Sequence, residues 1–254
     1  MISNCDILLL AAGCSRRLSS LTRDFPKSFL KIGNKKIINY HLDFLSEKGV
    51  KEITIVVGYL RDKFFDSIGT NYNGMKINYI ISEDYDTTGH SWSIYQARSL
   101  WKGTTKSLLL IHADVFCDYN IISDILSSKH DDVIAVSELS KSPSLGDCSV
   151  YGESGCVSSI EFFEEKKNKL PVGEYIGISK WSNSFIKEFE TFLKNYFVQT
   201  GKEHNYEIPL NKFINYNGKK LFYDRTKYLW KNINYESDYI LAKNKIYNEI
   251  YRSL

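Results

Sequence analysis

No apolar run in this 254-residue sequence approaches the ~20 residues needed to cross a bilayer. The opening residues Met1-Ile2-Ser3-Asn4-Cys5-Asp6 lack the basic start of a secretory signal. A cytoplasmic protein without membrane insertion is therefore expected. Cysteine is sparse: five residues, an odd number with no Cys-x-x-Cys pair, argue against a disulfide scaffold and leave thiols as core filler. The five histidines are scattered at no metal-ligand spacing, so a histidine metal centre is not expected. Charge is nearly balanced, at 33 Lys+Arg against 30 Asp+Glu, and there is no long basic stripe. Nucleic acid is thus not an expected partner. The sequence also lacks internal repeats, a low-complexity linker, and any Ser/His/Asp or Cys/His constellation suited to a covalent intermediate.

What is present is an ordinary globular composition, 43% hydrophobic and 25% charged. In the first half, Asp6–Leu10, Glu52–Val57, Ile77–Ser82, Ser107–His112 and Asp132–Glu138 read as buried strands. Between them Ile38, Leu42 and Leu45 mark a helix stopped at Gly49, and Leu60–Ile68 one stopped at Gly69. Helices are also expected over Ser91–Trp101 and Ile121–Ser128. Strand and helix in alternation predict an α/β fold with a doubly wound, mostly parallel sheet. After Leu139 the texture changes to a mixed second half. A loop leads to a hairpin turning at Gly152-Glu153-Ser154-Gly155, then a strand Tyr175–Lys180. Phe185, Phe189, Phe192 and Tyr196 mark an amphipathic helix. Tyr206–Tyr216 and Ser237–Tyr251 read as helices, Leu221–Arg225 as a strand. One domain over 1–254 is expected, with halves 1–138 and 139–254.

The stretch richest in chemistry is Leu8-Leu9-Leu10-Ala11-Ala12-Gly13-Cys14-Ser15-Arg16-Arg17-Leu18, followed by Phe25-Pro26-Lys27. An apolar strand runs into a small-residue loop whose backbone N–H groups can approach a polyphosphate. Arg17 and Lys27 supply the positive charge such a ligand needs. The loop does not meet the G-x-G-x-x-G pattern with a following acid, which argues against a dinucleotide-dependent oxidoreductase. Asp114, in His112-Ala113-Asp114-Val115-Phe116, falls at the carboxyl end of the strongest strand. Ligands of open α/β sheets bind there, so this carboxylate either holds a metal or caps the next turn.

Residues Ile7 to Ile32 resemble the N-terminal signature of the nucleotidyltransferases that activate sugar phosphates and phosphocholine, Leu-Ala-Ala-Gly-x-Gly-x-x-Arg-Leu and then Pro-Lys. Weaker similarity reaches to about Ala242. The resemblance implies a Rossmann-like nucleotidyltransferase fold, with 1–138 binding the nucleotide and 139–254 the acceptor. It places Leu10, Ala11, Ala12, Gly13, Ser15 and Arg17 around the triphosphate, and makes Arg17 and Lys27 the catalytic cations. Ser15 stands where a second glycine is usual and adds a Cβ to a tight turn. Asp114 would bind the catalytic Mg²⁺. The family's second metal-binding Asp is replaced, since the chain reads Trp230-Lys231-Asn232-Ile233-Asn234. A neutral amide oxygen is a poorer Mg²⁺ ligand. Three outcomes stay open: Asn234 still coordinates, Asn232 or Glu236 substitutes, or the site holds a single metal.

By the same resemblance Gly89 and Ser93 help seat the base and ribose, and Lys166 contacts the acceptor phosphate. Glu174 and Gly177 lie on the strand lining the acceptor pocket, where Gly177 allows close approach of substrate or of another strand. Trp92, Trp181, Tyr85 and Tyr206 with Glu207 are candidates for an acceptor cage, because aromatic faces attract quaternary ammonium groups. The implied reaction joins a nucleoside triphosphate to a phosphorylated small molecule with release of pyrophosphate. Trp92-Ser93-Ile94-Tyr95 is similar to the loop and helix of bacterial phosphocholine enzymes, which points to CTP and a phosphocholine-like acceptor, as in surface-polysaccharide decoration. A sugar-1-phosphate nucleotidyltransferase and a catalytically weak nucleotide-binding regulator are the alternatives. A homodimer is left open.

Overall fold

The computed structural model describes residues 2–138, 147–162 and 170–251. The apolar run after Asp6 lies in the strand Cys5–Ala11, in the interior of a ten-stranded sheet. Glu52–Val57 and Ser107–His112 flank it, both parallel, and Met75–Ile81 continues the parallel set beyond Glu52–Val57. The run is apolar on both faces because helices cover both. Ile7 and Leu9 face a cluster with Ile38, Leu42, Ile121 and Ile125. Leu8 and Leu10 face one with Ile94, Phe185 and Phe189. Each of these fully buried side chains contributes roughly 1.5–3 kcal/mol by leaving water. The expected α/β class and mostly parallel first half thus hold.

Two departures matter for the cleft. The strand Val133–Ser137 does not lie beside Ser107–His112. Gly173–Trp181 is inserted between them and runs antiparallel to both. All nine residues of that strand are buried, which requires a neighbour on each edge. At Gly177, with φ +87°, its register against Val133–Ser137 shifts. The second departure is a small sheet not expected from the sequence: Val115–Cys117 pairs antiparallel with Trp230–Asn232, Asn232 opposite Val115. This brings the C-terminal segment against the residue that follows Asp114.

The expected helix Ser237–Tyr251 is divided into Glu236–Leu241, a π-helical turn over Ala242–Ile246, and Tyr247–Tyr251. The wide turn falls where Ala242 and Ile246 are buried together with Leu18, Ile32, Phe116 and Ile233. That cluster fastens the C-terminal segment beneath the N-terminal loop. The helix expected over Leu60–Ile68 is shorter, Asp62–Ser67, because Leu60 takes φ +51° and cannot be helical.

Candidate active site

A cleft of about 410 Å³ opens at the carboxyl ends of Cys5–Ala11 and Ser107–His112. Leu10, Ala11, Ala12, Gly13, Ser15 and Arg17 line it, so the small-residue loop forms one wall. A Cβ on Gly13 would meet nothing within 4 Å, so this glycine leaves open space rather than serving protein packing. Ser15 adopts φ +50°. The glycine-like conformation is thus retained with a serine in it, at a cost of roughly 1–2 kcal/mol. Arg16, which the sequence reading passed over, also lines the cleft and donates through Nη2 to the Asp86 carbonyl at 3.1 Å. Arg17 donates to the Tyr235 hydroxyl at 3.4 Å, with its guanidinium 5.5 Å from the centre of that ring.

Pro26 directs the chain into the short turn Lys27–Phe29, which aims Lys27 at the floor. The Lys27 ammonium pairs with the Asp114 carboxylate and donates to Asn234 Oδ1 at 3.2 Å. Burial is the largest single influence on the Asp114 carboxyl and would raise it, but Lys27, His112 and His90 together outweigh burial and hold it below its ordinary value. Asn234 is positioned by Asp238, which accepts from the Asn234 and Tyr235 backbone N–H groups at 3.0 and 2.8 Å. Lys231 pairs with the other oxygen of Asp238 at 3.3 Å. Asn232 also lines the cleft, and its Oδ1 is buried without a hydrogen-bond partner among the described residues.

Asp114, Asn234 and Asn232 therefore offer one carboxylate and two amide oxygens, an all-oxygen set that fits a hard divalent cation such as Mg²⁺. The Lys27 ammonium bridges two of these oxygens and stands where positive charge belongs. Glu236 is exposed, begins the helix Glu236–Leu241 and does not line the cleft. Of the alternatives the sequence left open, it is the one the geometry disfavours.

The opposite wall carries Ser93, His90, His112, Glu174, Gly177 and Glu207. His112 Nε2 is 2.8 Å from the Tyr206 hydroxyl, which lies 2.6 Å from that of Tyr175. Burial pushes the His112 imidazole down to about 3 and the Glu207 carboxyl up to about 7. What approaches Gly177 closely is a neighbouring strand: a Cβ there would stand 2.8 Å from the His112 ring.

Several sequence expectations are corrected here. Trp181 is wholly buried, in contact with Phe185, Phe189 and Tyr206, and does not reach the cleft. Trp92 is held outside it, donating to Asp84 Oδ1 at 3.0 Å beneath the Lys202 ammonium, 3.6 Å from its ring. Tyr206 is buried behind His112. The aromatic cage is therefore not assembled; of its members only Tyr85 and Glu207 line the cleft. Gly89 packs against the chain at 202–204, donating to the Lys202 carbonyl at 2.8 Å. Lys166 lies outside the described residues. The histidines, far apart in sequence, are not all scattered in space: the His90 and His112 rings are 5.4 Å apart.

The model of the family described as nucleotidyl transferase matches residues 7–249. The chain belongs to the nucleotidyl transferase family. It is 30% identical over 120 residues to the choline-phosphate cytidylyltransferase of Streptococcus pneumoniae, covering 47% of this chain and 49% of that one. It is 31% identical over 134 residues to the CTP:phosphoglutamine cytidylyltransferase of Campylobacter jejuni, covering 51% of each. The matches thus span about half the length of these curated relatives. In fold it is similar to the CTP:phosphocholine cytidylyltransferase structure from Streptococcus pneumoniae, at a TM-score of 0.74 and 20% identity over 94% of this chain and 97% of that one.

Proposed function

We propose that this nucleotidyl transferase family member moves a cytidylyl group from CTP to the phosphate of a small phosphorylated acceptor, releasing pyrophosphate. The observation that carries this reading is the convergence of Lys27, Asp114 and Asn234 on the floor of a cleft walled by the Ala11–Arg17 loop. In such a transfer the acceptor's phosphate oxygen attacks the α-phosphorus in line as pyrophosphate leaves, and the protein positions groups and neutralises charge.

Arg16 and Arg17 neutralise the β- and γ-phosphates, and the loop N–H groups donate to their oxygens. Lys27 donates to the α-phosphate oxygen as its charge grows. Asp114, with Asn232 and Asn234, would hold Mg²⁺, which when bound supplies further charge neutralisation at the phosphate oxygens. Ser93, Thr88 and His90 line the side of the cleft suited to ribose and base. Glu174, Gly177 and Glu207 line the part left for the acceptor. The preference for CTP draws support from the two relatives whose names carry cytidylyl transfer.

Pyrophosphate release across a grid of triphosphates and phospho-acceptors tests the reading. Turnover with CTP and a small phosphate monoester is expected. Faster turnover with another triphosphate and a sugar 1-phosphate would favour the sugar-nucleotide alternative. Nucleotide binding without release from any pair would favour a regulator.

A further inference from the structure

We propose that His90, His112 and Glu207 form a second metal site, which takes a borderline divalent transition ion such as Zn²⁺ and leaves one coordination position open to the cleft. The three side chains come from separate elements: His90 opens the helix His90–Gln96, His112 closes the strand Ser107–His112, and Glu207 opens the helix Glu207–Tyr216. One ligand atom from each lies within 4.8 Å of the others. Tetrahedral zinc, with bonds of about 2.0–2.1 Å, sets its ligand atoms roughly 3.3 Å apart. The trio therefore closes by about 1.5 Å or less on binding, a movement side-chain rotation supplies.

Two of the three residues carry a polar atom short of partners. His90 Nδ1 and Glu207 Oε2 are buried and make no hydrogen bond among the described residues. Glu207 is only 3% exposed. A buried carboxyl oxygen left without a partner is costly, and a cation between it and two imidazoles removes that cost. His112 is already braced as a ligating histidine is: Nε2 is held by the Tyr206 hydroxyl at 2.8 Å, which leaves Nδ1 for an ion. Gly177 keeps that nitrogen accessible, because a Cβ there would stand 2.8 Å from it.

The donor set separates this site from the one at Asp114. Two nitrogens and one carboxylate suit zinc-class ions, whereas the all-oxygen set suits Mg²⁺. Three protein ligands rather than four is the composition of an open zinc site, able to accept an oxygen or amine of a bound molecule as its fourth ligand. All three residues line the same cleft as Asp114. The site does not depend on which triphosphate the chain uses.

The test is Co²⁺ and Zn²⁺ binding to the full chain stripped by chelator, in excess Mg²⁺, read by visible absorption and by elemental analysis after dialysis. One equivalent is expected, with the intense visible bands of low-coordinate Co²⁺, in the wild type and in Asp114→Asn. His90→Asn and Glu207→Gln, checked for folding by circular dichroism, should each bind at least about tenfold more weakly. Three results would overturn the site: no stoichiometric ion in the wild type, undiminished binding in a folded variant of either residue, or loss of the ion in Asp114→Asn. The first is also the outcome if the cluster instead receives an ammonium group of the acceptor.

Discussion

Lys27 and Asn234 lie 207 positions apart in the chain, yet the Lys27 ammonium donates to Asn234 Oδ1 at 3.2 Å. The same ammonium pairs with Asp114, so one cation joins the N-terminal loop, the strand Ser107–His112 and the C-terminal segment. Charge held between fixed oxygens needs little reorganisation when a phosphate arrives.

Removing that charge should lower turnover more than stability. Lys27→Ala is expected to reduce kcat by on the order of 10²–10³, as for loss of one preorganised donor. Steady-state pyrophosphate release checks this, with a thermal melt as control. Turnover near wild type would remove Lys27 from its assigned role.

Asn234 faces the Lys27–Asp114 pair through an uncharged oxygen. Asn234→Asp adds a second carboxylate to the oxygen set and should lower the Mg²⁺ concentration for half-maximal activity by on the order of tenfold. An Mg²⁺ titration of variant and wild type reads this directly. An unchanged midpoint would mean that position 234 does not face the ion.

Much of the fold was legible because buried strands with both faces covered are written as continuous apolar runs; Glu52–Val57 and Ser107–His112 have the bounds the sequence implied. The loop wall of the cleft was legible for a similar reason, being local in sequence. Contacts between distant segments were legible only through the family resemblance, which grouped Asn234 with Asp114, and not from the residues themselves. Nothing near Trp230 announces that it pairs with Cys117, and that pairing is what sets Asn232 and Asn234 beside Asp114. Composition misled at Trp92 and Trp181: aromatics suit a cage and a core equally, and only packing decides. His90 and His112 carry no ligand spacing because their proximity is made by two elements, not one.

Gly89 illustrates the same lesson from the packing side. Its φ of −95° is open to any residue, but a Cβ would fall 2.2 Å from the His204 carbonyl oxygen. Gly89→Ala should therefore cost about 2 kcal/mol through displacement of that segment, a fall in Tm of roughly 4–8 °C. Differential scanning calorimetry measures it; an unchanged Tm would show that the segment yields freely.

His41 sets an acid limit on stability. It is fully buried, with Nδ1 3.1 Å from the Tyr119 hydroxyl, and burial pushes its imidazole down to about 4 despite the upward pull of Asp114. The unfolded chain takes up this proton near 6.5 while the folded one resists, so stability falls as pH drops from 6.5 towards 4. His41→Asn should flatten that slope by on the order of 3 kcal/mol in urea unfolding across the window. His112, pushed down to about 3 by burial, contributes in both proteins and cancels in the comparison. An identical slope in the variant would refute the assignment to His41.

The most direct test is a crystal structure of the full chain with Mg²⁺ and a non-hydrolysable CTP analogue. The account predicts the β- and γ-phosphates against Arg16, Arg17 and the loop at Gly13, the α-phosphate within reach of Lys27, and the ion on Asp114. A triphosphate bound elsewhere, or a cleft left empty at saturating ligand, would contradict it.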